Sequence, residues 1–395
     1  IKDDAGDLSA SLILLRNRLL DILLNLLFTT KEKCAVNTLA CEEMARTLGF
    51  DWLLAFVEEH LHPSTVTAAA RILVTLLSSQ PLLARFREGL CGGGWLDNTE
   101  PVLTDRIGTV LGFNVGRGAG GRCVIREINR EACHFPGFPV LQTLMPKHSD
   151  VAELHFLLMA LFLQQPVAER PRNLHCDLDA VWTFIFGIPA SSGSMGDCPG
   201  GSVHSVCTEA AFLLLAMLRG LFNLPWQAEE EGSWLLEYPA TLMQFLGHFY
   251  HNLPELASMW TTPEFLCVLA ATVFPFNIRP HSEMVSDLEN ESNSPAEDLK
   301  ALSAEKGLNR SQSEYCNVGS KTYLTGHPAR KCIFDFMRVL IMDNLCTVPA
   351  SKQTPVLDLL LEASPERATH SQQAEFQSSI LDGVMEQVLG AKVFS

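Results

Sequence analysis

The sequence lacks the short motifs that indicate common catalytic, nucleotide-binding and zinc-binding sites. It contains no C-x-x-C, no G-K-[ST], no H-E-x-x-H and no G-x-S-x-G, so zinc ribbons, P-loops, zincin proteases and serine hydrolase elbows are not indicated. It also lacks an uncharged apolar run of the ~18 residues that a membrane-spanning helix needs. The best candidates, 154–167 and 265–278, are too short and are better explained as core helices.

Basic residues are scarce beside acidic ones. The chain of 395 residues has 29 Lys and Arg against 45 Asp and Glu, a formal net charge of −16. This balance argues against nucleic acid or anionic lipid as a main partner. Hydrophobic residues make up 47%, enough to bury a core over most of the chain, and the length predicts several units or one elongated array.

Paired cysteines are missing as well. The 12 cysteines are scattered, and the closest two, Cys34 and Cys41, do not have the spacing of a metal site or of a disulfide framework. Several lie in apolar helical stretches, including Cys267, Cys332 and Cys346. We interpret these as small buried hydrophobes in a reducing compartment. Because the chain begins with Ile1 and has no signal-like segment, we expect it to be a piece of a longer polypeptide.

What the sequence has in abundance is leucine at helical spacing. In the first helix one face is formed by Leu8, Leu12, Leu15, Leu19, Ile22 and Leu26, and it is widened by Leu14, Leu20, Leu24 and Leu27. So apolar a helix is expected to be covered on more than one side, as it would be inside a stack of helices.

Short breaks between helical stretches predict hairpins. At His62-Pro63 one stretch ends, and Ser64 or Thr65 is the expected N-cap of the next. Later helices are predicted at 151–165, 207–222, 234–251 and 263–273. Helical hairpins in series predict an all-α fold, an armadillo- or HEAT-like α-solenoid, although the sequence shows no clean repeat period.

Composition divides the chain into five parts. We predict a helical, armadillo-like block at 1–90, a Gly-rich insertion at 91–138 and a second helical block at 139–280. An acidic, Ser- and Asn-rich flexible segment follows at 281–327, because such a composition cannot bury enough surface to offset its ordering entropy. A helical continuation occupies 328–395.

One glycine motif offers an alternative function. Gly116, Gly118 and Gly121 spell G-x-G-x-x-G, which in a strand–turn–helix setting binds a dinucleotide. No acidic residue stands near the position that would bind the ribose, and 133–139 is not typical of a βαβ unit. We therefore favour a plain loop and keep a nucleotide-binding enzyme at Gly116–Gly121 as the alternative.

Histidines and cysteines suggest no stronger site. His60 with His62, or His248 with His251, could supply two metal ligands, but a zinc site needs a third or fourth. His204 with Cys207, or Cys133 with His134, could be imagined as a base and a thiol nucleophile, without any local signature. We predict no catalytic, metal or cofactor site, and a chain that is not an enzyme.

The acidic segment carries the candidate functional residues. Tyr315 and Val318, in E-Y-C-N-V, have the spacing of motifs read by autophagy ubiquitin-like modifiers, and a phosphorylated Tyr315 before Asn317 would alternatively suit an SH2 domain. Flexible segments of this kind fold onto protein partners. Ser294, Ser311 and Ser313 are candidate phosphorylation sites, where added charge could switch docking.

Six long runs resemble one protein family. They are ASLILLRNRLLDILL (10–24), GTVLGFNVGR (108–117), EINREACHFPGFPVLQ (127–142), ATVFPFNIRP (271–280), NRSQSEYCNVG (309–319) and FDFMRVLI (334–341). They are similar to the central region of the giant BEACH-domain scaffolds with WD repeats and a FYVE-type finger, the family of the autophagy-linked FYVE protein. The resemblance spans nearly the whole chain and favours the immune-cell member linked to antigen cross-presentation, since 173–179 and 196–201 depart from the autophagy member.

The resemblance implies a function without supplying functional residues. The FYVE finger, the BEACH domain and the W-D repeats of the family have no counterpart in these 395 residues. It implies a non-catalytic scaffold segment, with protein partners, in a cytoplasmic protein of vesicle trafficking, selective autophagy or antigen processing. Such a protein would be peripheral to endosomal, autophagic or endoplasmic reticulum membranes, and membrane association would come only through its other parts.

Overall fold

A chain of helices makes up almost all of the structure. The computed structural model describes residues 7–29, 35–88, 109–110, 113–117, 123–127, 137–167, 206–224, 234–253, 256–276, 327–347, 355–365 and 368–393. Its helices are α1 (Asp7–Leu26), α2 (Thr38–Leu48), α3 (Asp51–Ala55), α4 (Pro63–Leu77), α5 (Gln80–Glu88), α6 (Phe138–Leu144), α7 (Ala152–Phe162), α8 (Thr208–Phe222), α9 (Trp234–Asn252), α10 (Ala257–Trp260), α11 (Pro263–Val273), α12 (Arg330–Thr347), α13 (Val356–Glu362) and α14 (His370–Val393). A 3₁₀ helix, Met145–His148, follows α6.

The helices pack in a linear succession. α1 packs on α4, α4 on α7, α7 on α8, α8 on α11, α11 on α12, and α12 on α14, with α9 also against α12 and α13 against α11. Between α1 and α14, the helices of this succession each lie between an earlier and a later neighbour, as in an α-solenoid. The prediction of an all-α, solenoid-like fold is confirmed.

The middle of the succession is buried on all sides. In α7 the residues from Leu154 to Phe162 are all buried, and in α11 the same holds from Phe265 to Val273. Helices that are apolar all round belong inside a larger assembly of helices. The two apolar runs that were too short to span a membrane thus form the centre of the fold.

The first helix is covered on one side only. Leu20, Leu24 and Leu27 are 3% exposed or less, and this face lies toward α4, where Asn17 Nδ2 donates to Ser64 Oγ (2.7 Å) and Thr65 Oγ1 donates to Asn17 Oδ1 (2.6 Å). Along Leu12 to Leu26 the other leucine face is exposed. The expectation that α1 is covered on more than one side is therefore wrong for the described residues.

The N-cap of α4 is a different residue from the one that the sequence predicts. His62, rather than Ser64 or Thr65, is the N-cap of α4: its Nδ1 accepts from the backbone N–H of Ser64, and Pro63 takes the first helical position. Proline suits that position because its missing N–H would have no partner there. The hydroxyls of Ser64 and Thr65 both bond Asn17 of α1.

Strands occur in the glycine-rich region. β1 (Thr109–Val110), β2 (Phe113–Arg117) and β3 (Cys123–Glu127) form an antiparallel sheet in the order β1-β2-β3. β1 lies near α6 and α8, and β3 lies near α11. The sheet therefore rests on the side of the helical succession, while the five-part division of the chain stays a prediction.

No single helix within the described ranges has both the length and the apolarity for crossing a bilayer. α4 and α5 meet that test only when taken together, and a bend of 112° separates them.

Candidate interaction surfaces

The residues predicted to carry linear motifs fall outside the described part of the chain. Tyr315, Val318, Ser294, Ser311 and Ser313 all belong to 277–326, so their roles stay predictions. His204, Cys133 and His134 likewise lie outside the described residues.

The first glycine of the G-x-G-x-x-G motif lies in a β-strand. Gly116 is a residue of β2 and pairs with Val124 of β3 in an antiparallel ladder that closes with Arg117 opposite Cys123. Gly118 and Gly121 fall in 118–122, outside the described residues. A dinucleotide fingerprint needs a strand that turns into a helix, whereas β2 turns back into β3. The alternative of a nucleotide-binding enzyme has no support in this geometry.

The histidine pairs have local partners. His62 caps α4, and His60 Nδ1 lies 3.4 Å from Glu58 Oε2. On α9 the amide Nδ2 of Asn252 lies 3.1 Å from His248 Nδ1, and burial together with the neighbouring His251 lowers the pKa of His248. No group of three or more His, Cys, Asp or Glu side chains suited to a metal occurs in the described ranges.

Five cysteines in the described ranges lie in different surroundings. Cys41, Cys207 and Cys267 are buried, whereas Cys332 is half-buried and Cys346 is exposed. The interpretation of Cys346 as a buried hydrophobe is therefore wrong. Burial, assisted by Glu209, raises the pKa of Cys207 to about 12, which keeps it protonated and unsuited to nucleophilic chemistry.

Among the described residues, α1 carries a long exposed apolar surface. Five side chains at alternating spacings of three and four residues form what we call the outer seam: Leu12, Leu15, Leu19, Ile22 and Leu26, which are 44–59% exposed. Arg18 lies on one flank of the outer seam and is itself exposed. A contiguous apolar strip of this kind marks an interaction surface when it occurs on a folded protein.

A second apolar strip lies at the far end of the helical succession. Leu381, Met385 and Val388 of α14 follow the same helical spacing and are exposed by 36% or more; we call them the end strip. Asp382 lies on one flank of it and is exposed. From Met385 to Gly390 every residue of α14 is exposed, so the last turns of this helix project beyond its contacts with α12 and α13.

A shallow groove opens between α2 and the end of α5. Its lining combines charged side chains with the exposed Leu39, and consists of Asn37, Leu39, Ala40, Glu42, Glu43, Arg46 and Arg85. Arg46 is engaged by Glu43 at 2.5 Å on the surface of α2. The groove carries charges of both signs and therefore indicates no particular ligand.

The residues on both sides of 277–326 contact one place, the C-terminal end of α8. Before residue 277, Arg219 donates to the carbonyl oxygens of Phe274 (3.1 Å) and Pro275 (3.0 Å), and the Phe276 N–H donates to Asn223 Oδ1 (2.9 Å). After residue 326, the ring of His327 lies 5.2 Å from the ring of Phe222, measured between centroids. Residues 276 and 327 therefore lie near each other.

Two arginine side chains donate hydrogen bonds to backbone carbonyl groups at the C-terminal end of α8 and next to it. Arg219, 1% exposed, also lies over the ring of Phe276 at 4.3 Å, and Arg330 of α12 donates to the carbonyl oxygen of Phe222 at 3.0 Å. Helix ends leave carbonyl groups without helical partners, and both arginines bond such groups. We call the cluster of Arg219, Phe222, Phe276, His327 and Arg330 the segment base. In the sequence, the signal for this cluster is Arg219, a charged residue within an otherwise largely apolar helix. Arg219 belongs to no motif, so the motifs of the sequence do not indicate it.

Two curated proteins are similar to the chain over almost its whole length. Human WD repeat- and FYVE domain-containing protein 4 is 30% identical over 384 residues, which are 96% of this chain and 11% of that protein. The mouse protein of the same name is 30% identical over 378 residues, again 96% of this chain and 11% of the relative. No family model matches the chain, and no solved structure matches it.

The similarity covers almost all of this chain and a small share of each relative. It is not confined to one motif, since it extends over the helical blocks and over the regions between them. The chain is therefore similar to one segment of WD repeat- and FYVE domain-containing protein 4.

Proposed function

We propose that the chain is a non-catalytic scaffold segment of a large protein in vesicle trafficking or selective autophagy. The observation that supports this most directly is the linear succession of helices from α1 to α14, because an α-solenoid offers extended surface and fixed spacing rather than a reaction pocket. The similarity to a segment of a WD repeat- and FYVE domain-containing protein agrees with it.

We infer two ways in which the segment would serve the larger protein. It would hold the flanking parts at a fixed separation, and it would bind proteins through its exposed surfaces or through motifs in 281–327. The finer role that we propose is antigen processing and cross-presentation, in the cytoplasm at endosomal, autophagic or endoplasmic reticulum membranes. Membrane attachment would belong to other parts of the full-length protein.

A replacement experiment tests the proposal. In cells that express the full-length protein, the segment is deleted, or exchanged for an unrelated α-solenoid of similar length. Clearance of a selective-autophagy cargo and presentation of an internalised antigen are measured. If the segment binds proteins, neither change preserves the function. If it serves as a spacer, the unrelated solenoid restores function, and if deletion has no effect on either readout, the proposal is refuted.

The nucleotide-binding alternative can be tested on the isolated chain. A ligand at one hundred times its Kd adds about 2.7 kcal/mol of stability, so thermal melting with NAD, NADP, FAD, ATP and GTP would reveal a site at Gly116–Gly121. We expect no shift in the melting temperature, because the antiparallel pairing of Gly116 with Val124 leaves no helix start behind β2.

A further inference from the structure

We draw no further inference here: the strongest candidate, the pair of exposed apolar faces formed by the outer seam of α1 and the end strip of α14, carries none, because nothing in the structure shows what covers them.

Discussion

Two glycines inside helices differ in what a methyl group would meet. A Cβ on Gly220 of α8 would lie 2.8 Å from the carbonyl oxygen of Pro146 and 3.1 Å from the Ser149 side chain, whereas a Cβ on Gly247 of α9 would have nothing within 4 Å. Gly220→Ala should therefore lower the free energy of unfolding by about 1–3 kcal/mol through overpacking. Gly247→Ala should raise it by about 0.5–1 kcal/mol, because alanine is the better helix former. Urea unfolding of both variants measures this, and equal effects would contradict the close approach of α8 to the 3₁₀ helix.

His155 makes stability depend on pH. Its ring is fully buried, its Nε2 donates to the Ser149 carbonyl oxygen at 3.0 Å, and burial lowers its pKa from 6.5 to about 4. As the pH falls below 6.5, His155 takes up a proton in the unfolded chain but not in the folded chain. The contribution of neutral His155 to the free energy of unfolding is therefore complete above pH 6.5 and is lost between pH 6.5 and pH 4. The full loss is on the order of 3 kcal/mol.

The variant His155→Gln isolates this effect, since glutamine can donate a hydrogen bond but does not titrate in this range. The free energy of unfolding, measured by urea at pH values from 7.5 to 4.5, should fall less steeply in the variant than in the unmodified protein. Parallel pH dependences would show that other groups cause the loss.

Between elements, a buried ion pair joins α4 to α7. Arg71 Nε lies 3.5 Å from Glu153 Oε1, and the side chains are only 8% and 10% exposed. Removing one partner leaves a buried charge, so Arg71→Met and Glu153→Leu should each cost about 3–5 kcal/mol, while the double variant should recover much of that loss. A double-mutant cycle by urea unfolding measures the coupling. Additive losses would show that the two charges do not depend on each other.

Element positions were the part of the fold that sequence reasoning predicted best. The helix expected at 263–273 is α11, and that expected at 234–251 differs from α9 by one residue, because capping residues, Pro263 among them, mark helix starts in sequence. Which face of α1 is buried could not be predicted. Two leucine faces compete there, and the hydroxyls of Ser64 and Thr65, far away in sequence, select one of them through Asn17.

At the scale of the whole molecule, solenoid packing was predictable and the surfaces were not. Helical hairpins without room for a single compact core imply serial packing. The outer seam and the end strip required the structure, because periodicity alone does not tell a buried strip from an exposed one. The predicted motifs at Tyr315–Val318 remain a prediction, since no described residue bears on them.

The segment base predicts that the acidic segment can be removed. Residues 276 and 327 both contact the end of α8, so a short Gly-Ser linker can join them without pulling on the helices. Replacing 277–326 by such a linker should change the melting temperature little. Substituting Arg219 by Met in the same background should lower it, because the carbonyl groups of Phe274 and Pro275 lose their buried donor. A large loss from the linker alone would show that the segment itself stabilises the fold.

The closeness of the two ends at the segment base also bears on how such a protein can change over evolutionary time. Doubling the length of a loop whose ends already meet costs only about 0.6 kcal/mol in closure entropy. Insertions and deletions between α11 and α12 are therefore nearly neutral for folding, and natural variants are expected to differ in length there more than within the helices. The same position suits the insertion of a fluorescent reporter, which would leave both the outer seam and the end strip unobstructed.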